Sequence, residues 1–174
     1  MQNSKRTYLP HTDLEGYYQF VTFRTHDSVD DFLKRIYGDE NISAREKEYK
    51  IDEYLDNSSH GAYLNGDVLD YLRNFFIEKD KEIYDLVSFA IMPNHVHILF
   101  KQQNSLSKTM QVLKGSSSIE INRLLKRKGK FWEVNYYDRA IRNENHFSIV
   151  YDYIQNNPLK ANLKDSRDRV YGIY

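Results

Sequence analysis

The sequence has no cysteine. Disulfide staples and thiolate metal sites are excluded, and a reducing, intracellular setting is expected. No apolar run approaches the ~20 residues of a membrane-spanning helix. Met1 to Arg6 are polar and lack the apolar centre of a secretory signal, so the cytoplasm is the expected location. There is no low-complexity linker and no internal repeat, and the 174 residues read as one domain. Net charge is also missing: 25 Lys and Arg balance 25 Asp and Glu, which excludes a uniformly basic surface.

That zero hides an asymmetry. Asp27 to Asp56 carries 10 acidic and 5 basic residues, whereas Lys101 to Arg142 carries 10 basic and 3 acidic. A local basic surface suffices for phosphate contacts, because screening makes them short-ranged. Fifteen tyrosines and nine phenylalanines could stack on unpaired bases or fill a core, and most must do the latter.

Tyr17 to Arg24 is aromatic and β-branched and reads as a strand. Helices follow over Val29–Tyr37, Ser43–Leu55 and Asp67–Glu78, the second capped by Ser43 and highly charged, the third apolar on one face. Tyr84–Ile91 and His95–Lys101 form a hairpin across the turn Met92-Pro93-Asn94. Ser105–Lys126 is a long helix broken before Gly129. Phe131–Ile141 is extended, and a helix capped by Asn143 or Asn145 runs to about Asn157, stopped by Pro158. The tail from Lys160 is polar with little pattern. This order predicts an α+β fold: a ferredoxin-like, split βαβ antiparallel sheet, with a helical insertion over about residues 27–80.

Two residues carry chemistry from the hairpin. Side chains alternate along a strand, so His95 and His97 share a face and Val96 points away. Two imidazoles so placed can share a divalent ion, although the pair alone does not specify one. On the last helix Tyr153 and Asn157 are one turn apart, a phenol that could attack an electrophile and an amide oxygen that could ligate. Pattern alone does not separate Tyr151 from Tyr153.

Ile91-Met92-Pro93-Asn94-His95-Val96-His97-Ile98-Leu99 resembles the HUH motif of single-tyrosine transposases. Gly129 to Trp132, Tyr136 to Arg142, and Tyr153-Ile154-Gln155-Asn156-Asn157-Pro158-Leu159-Lys160-Ala161 resemble segments of the REP-associated tyrosine transposases, a branch of the IS200-like type. Tyr17 to Thr25 and Ile121 to Leu125 extend the resemblance over about residues 15–163. Asn162 stands where many relatives have Gly, and Leu113 where many have Trp. Ser43 to Leu55 matches no motif of that branch.

The resemblance implies an endonuclease and strand-transferase acting on single-stranded or hairpin DNA of the repetitive extragenic palindrome kind, beside the nucleoid. His95 and His97 would hold Mg²⁺ or Mn²⁺ with Asn157 as a third polar ligand. Tyr153 would be the nucleophile, forming a 5′-phosphotyrosine. Lys114, Arg123, Lys126, Arg127, Arg139, Arg142 and Lys160 are the candidate DNA contacts, with Trp132, Tyr136 and Tyr137 as candidate stacking residues. A monomer is expected, although insertion-sequence relatives work as dimers. The alternative is a captured nucleic-acid-binding regulator that keeps the fold and not the chemistry.

Overall fold

The computed structural model describes residues 13–174; Met1–Arg6 and His11 lie outside that range. The chain runs β1 (Tyr18–Arg24), α1 (Asp31–Gly38), α2 (Ala44–Asn57), α3 (Gly66–Glu78), β2 (Tyr84–Ile91), β3 (His95–Gln102), α4 (Leu106–Leu124), β4 (Tyr137–Ala140), α5 (Glu144–Lys160) and β5 (Val170–Gly172). The caps follow from residue type. The Ser43 side chain accepts from Glu46 N–H at α2, Ser105 from Lys108 N–H at α4, and Asn143 from His146 N–H at α5. No helix among the described residues is long and apolar enough to cross a membrane.

The strands form one sheet in the order β4-β1-β3-β2-β5, every neighbour antiparallel. β1 and β2 are therefore parallel with β3 between them, the expected split βαβ arrangement, and β5 extends it. On one face Val21, Phe23, Val96, Ile98 and Phe100 pack with Val68, Leu72 and Phe76 of α3 and Met110, Leu113 and Ile121 of α4. On the other, Phe20, Ala90 and Leu99 pack with Val150 and Ile154 of α5. A third small cluster, Leu33, Ile51 and Leu55, joins α1 to α2. Within the 27–80 segment, then, α3 belongs to the sheet's own core, and α1 and α2 form a pair beside it.

This packing decides which way the histidines point. Val96, Ile98 and Phe100 are fully buried. Each contributes roughly 1.5–3 kcal/mol by leaving water. A one-residue slip would exchange them for His95, His97 and Leu99. The register Thr22↔His97 and Arg24↔His95 is therefore locked from the opposite face.

Two expectations need correction and one an addition. Pro158 does not stop the last helix: α5 continues to Lys160, with Asn157 and Pro158 both buried and Ala161 N–H donating to Asn157 C=O at 3.1 Å. Burial outweighs the local penalty of proline in the final turn. The tail, polar with little pattern in sequence, still forms a strand: β5 pairs with β2, and buried Arg169 donates to the carbonyls of Leu64 and Ile91. Three residues are too few to show an alternation in sequence. Of the extended stretch Phe131–Ile141, only 137–140 forms a strand, with Trp132 bridging Thr25. Asn162, in a place expected to favour Gly, has φ +56°, and Asn tolerates that left-handed backbone better than most residues.

Candidate active site

The hairpin turn sets up the site. Asn94 is buried, and its Nδ2 donates to the carbonyls of Leu55 at 3.0 Å and Ser58 at 3.2 Å, at the end of α2. Its Oδ1 is thereby turned toward His95 Nδ1, 2.7 Å away. An amide oxygen only accepts, so His95 Nδ1 carries the proton and Nε2 presents a lone pair. His97 Nδ1 lies 2.8 Å from Thr22 Oγ1 on β1, a contact that turns His97 Nε2 to the same side. The two rings are 4.8 Å apart, and Phe20 stacks on His97.

Both histidines are fully buried. Burial drives the His97 pKa down to about 3, aided by the Arg24 charge. Burial, then His97 and Arg24, drives His95 well below its usual value. Both are neutral imidazoles, the form that ligates a metal.

Tyr153 on α5 lies over this pair, its ring 5.2 Å from that of His97. Its hydroxyl donates to Asp52 Oδ2 at 3.0 Å. Burial raises the Tyr153 pKa, and the neighbouring Asp52 charge raises it further, while the Asn157 side chain one turn on acts the other way. Tyr151, which sequence pattern could not separate from Tyr153, instead bonds the carbonyl of Tyr174 at 2.8 Å.

The acidic helix α2 supplies the other wall. Glu48, Asp52 and Asp56 recur every four residues and so share one face. Glu48 Oε2 pairs with buried Arg24 at 3.1 Å, and Arg24 also bonds the Tyr37 hydroxyl. Asp56 Oδ1 is 3.6 Å from His95 Nε2. Burial raises all three carboxyls, Asp52 to about 6 against the pull of Arg24, and Glu48 and Asp56 to about 7.

Donor atoms of Asp52, His95 and His97 lie within 4.8 Å of one another. Asp52 Oδ1, Asp56 Oδ1, His95 Nε2, His97 Nε2 and Asn157 Oδ1 are all buried and lack a hydrogen-bond partner among the described residues. Orphaned acceptors are costly in a protein interior. Two imidazole nitrogens with carboxylate and amide oxygens suit a small divalent ion such as Mg²⁺ or Mn²⁺, so the residues present fit a metal. Asn94, Thr22, Arg24, Asp52 and Asp56 were not singled out in the sequence. The i, i+4 acidic stripe of α2 was the one legible signal.

The basic residues divide. Arg139 on β4 is opposite Phe20 in register and so shares the histidine face. Burial, then the charges of Arg139, Arg142 and Arg45, lowers the pKa of His146, which groups these arginines near the start of α5. Lys160 ends α5 and is exposed. The others lie at α4 and just beyond. Lys114 is half-buried, donating to the carbonyls of Glu133 at 2.5 Å and Val134 at 2.9 Å. Arg123 is exposed and pairs with Glu120, and Lys126 is exposed. Arg127 pairs with Asp27 and lies over the Tyr63 and Phe131 rings. Trp132 is a core residue, its Nε1 donating to Ser117 Oγ at 2.9 Å. Tyr136 and Tyr137 are partly buried.

The family model described as "Transposase IS200 like" matches residues 58–157, from just after α2 through Asn157. A solved REP-associated tyrosine transposase, bound to a REP hairpin, superposes with a TM-score of 0.54 at 15% identity, covering 90% of this chain and 75% of that one. A putative transposase from Deinococcus radiodurans R1 gives 0.47 at 16%, covering 90% and 98%. No curated protein matches the sequence.

Proposed function

The chain belongs to the family of IS200-like transposases, and from that premise we propose that it is a metal-dependent endonuclease that cuts and rejoins single-stranded DNA through Tyr153. The observation that carries this reading is the meeting of Tyr153 with two neutral, buried histidines whose Nε2 atoms have no hydrogen-bond partner among the described residues. A pure binding module has no use for such a donor set.

His95, His97 and Asn157 would hold Mg²⁺ or Mn²⁺. When bound, the ion supplies Lewis-acid polarisation of a non-bridging phosphate oxygen. Tyr153 Oη passes its proton to Asp52 Oδ2, 3.0 Å away, and bonds to phosphorus. The bond from phosphorus to the 3′ oxygen breaks, and that oxygen leaves as a hydroxyl once protonated. The product is a 5′-phosphotyrosine with a free 3′-hydroxyl. Attack by another 3′-hydroxyl reverses the exchange without an external energy source.

The structural neighbour's hairpin makes hairpin DNA with an unpaired flank the proposed substrate. Arg139 and Arg142, joined by Arg45, are the proposed phosphate contacts beside the start of α5, with Lys160, Arg123, Lys126 and Arg127 as further candidates; Lys114, held by the carbonyls of Glu133 and Val134, is not among them. A monomer fits, because Tyr153 meets histidines of its own chain; a place beside the nucleoid would follow from the proposed DNA substrate.

The test is a labelled hairpin with a single-stranded flank, incubated with the full chain and Mn²⁺. A denaturation-resistant protein–DNA adduct is expected, absent without metal and absent in Tyr153→Phe. An adduct that persists in Tyr153→Phe assigns the nucleophile elsewhere. Metal-independent hairpin binding with no adduct supports the captured-regulator alternative.

A further inference from the structure

The family match begins at residue 58, after Asp52 and Asp56, so it leaves α2 without a role. Yet α2 is fixed against the site by ties that do not involve Asp52. Glu48 is paired with buried Arg24. The carbonyls of Leu55 and Ser58 receive the Asn94 amide, the same amide that orients His95. Ile51 and Leu55 are packed with Leu33. Tyr54 donates to Asp30, the residue that caps α1. The position of Asp52, one turn from Glu48 and one from Asp56, is thus a product of the fold and not of a mobile side chain.

The two oxygens of Asp52 face different partners. Oδ2 accepts from the Tyr153 hydroxyl at 3.0 Å. Oδ1 is buried with no hydrogen-bond partner among the described residues. The donor atoms that Asp52 and the two histidines offer lie within 4.8 Å of each other. The histidine nitrogens aimed into this space are fully buried and equally unpartnered. A set of two imidazoles and one amide is neutral, whereas Mg²⁺ and Mn²⁺ favour anionic oxygen.

We infer that Asp52 is a ligand of the divalent ion through Oδ1 while its Oδ2 holds the Tyr153 hydroxyl, so that one carboxylate ties metal to nucleophile. This rests on the metal-dependent reading above. It gives the acidic helix a purpose: α2 carries the anionic ligand that the hairpin and α5 lack. It also makes Tyr153 placement depend on α2, through a residue 101 positions away in sequence.

The experiment uses the full chain, without DNA, and Mn²⁺ alone as probe. Free Mn²⁺ is followed by electron paramagnetic resonance during titration. The unaltered chain is expected to bind one Mn²⁺. Asp52→Asn is expected to weaken binding by about tenfold or more. Glu53→Gln removes the same charge from the exposed side of α2 and is expected to bind as the unaltered chain does. Nitrogen couplings from the histidines should persist in Asp52→Asn at saturating Mn²⁺, which shows that the rest of the site still forms.

Equal affinity in Asp52→Asn and the unaltered chain overturns the inference and leaves the functional reading standing. So does loss of binding in Asp56→Asn with Asp52→Asn unaffected. If the unaltered chain takes up no Mn²⁺, the metal-dependent reading falls, and this inference with it.

Discussion

Asn94 and His95 are neighbours in sequence, and the side chain of the first fixes the proton of the second. Asn94 Oδ1 lies 2.7 Å from His95 Nδ1, with its amide nitrogen already committed to the carbonyls that end α2. The turn residue therefore links the acidic helix to the tautomer of the candidate ligand.

Asn94→Ala should break that link. Mn²⁺ affinity and adduct yield should each fall about 10- to 100-fold, the usual effect of removing a group that orients a ligand. The lost hydrogen bonds to the end of α2 should cost about 1–3 kcal/mol of stability. Mn²⁺ titration beside thermal unfolding checks both. A drop in Tm with unchanged affinity would make Asn94 a helix anchor only.

Asp56 gives a pH-dependent prediction. Burial, then Asp52, raises its folded pKa to about 7, against about 3.9 for an unperturbed aspartate. Between those values the folded chain binds the extra proton, so stability falls as pH rises through that window. The cost is complete above pH 7 and absent near pH 4. Metal-free Asp56→Asn should be more stable than the unaltered chain at pH 8, by about 1–3 kcal/mol, and the gap should close toward pH 4. Thermal melts across that range with a chelator present would read it; a pH-independent gap would contradict the assignment.

Lys114 and Arg142 should behave oppositely. Burial lowers the Lys114 pKa to about 8, and its amine is held by two carbonyls. Lys114→Ala should cost about 1–3 kcal/mol and leave the salt dependence of DNA binding nearly unchanged. Arg142 is exposed. Arg142→Ala should leave Tm nearly unaltered and reduce the salt slope of single-strand binding by about 0.7. Melting curves and binding at several salt concentrations separate the two.

Gly61 holds the loop after α2 against β1. Its φ is +64°, and an added Cβ would come within 2.3 Å of Thr25 Oγ1 and 2.6 Å of Ser28 N. Gly61→Ala combines backbone strain with a clash against main chain and should destabilise by about 2–5 kcal/mol. Chemical denaturation would measure it, and a change under about 1 kcal/mol would show that the loop can shift.

Much was legible because it is local. The alternation in His95-Val96-His97 put both imidazoles on one face, and the four-residue spacing put Tyr153 above Asn157. The Ser43 cap announced one helix, and the pair Asn143 and Asn145 the start of another, which the structure assigns to Asn143. The ordered motifs named the family. What stayed hidden depended on distant partners. Pro158 reads as a stop until its burial is known, and β5 is too short to read at all. The basic residues looked alike in sequence, and only packing separated half-buried Lys114 from exposed Arg142.

The sequence by itself determined the strand and helix periods, the hairpin and the histidine face, because each follows from spacing along a few residues. Only the tertiary structure decided that Asp52 meets Tyr153 and that the end of α2 turns the Asn94 side chain toward His95. Those contacts depend on how helices stack across a sheet. An acidic stripe on a helix is solvated by default, and it becomes part of a site only when burial removes the water and leaves its oxygens unpaired.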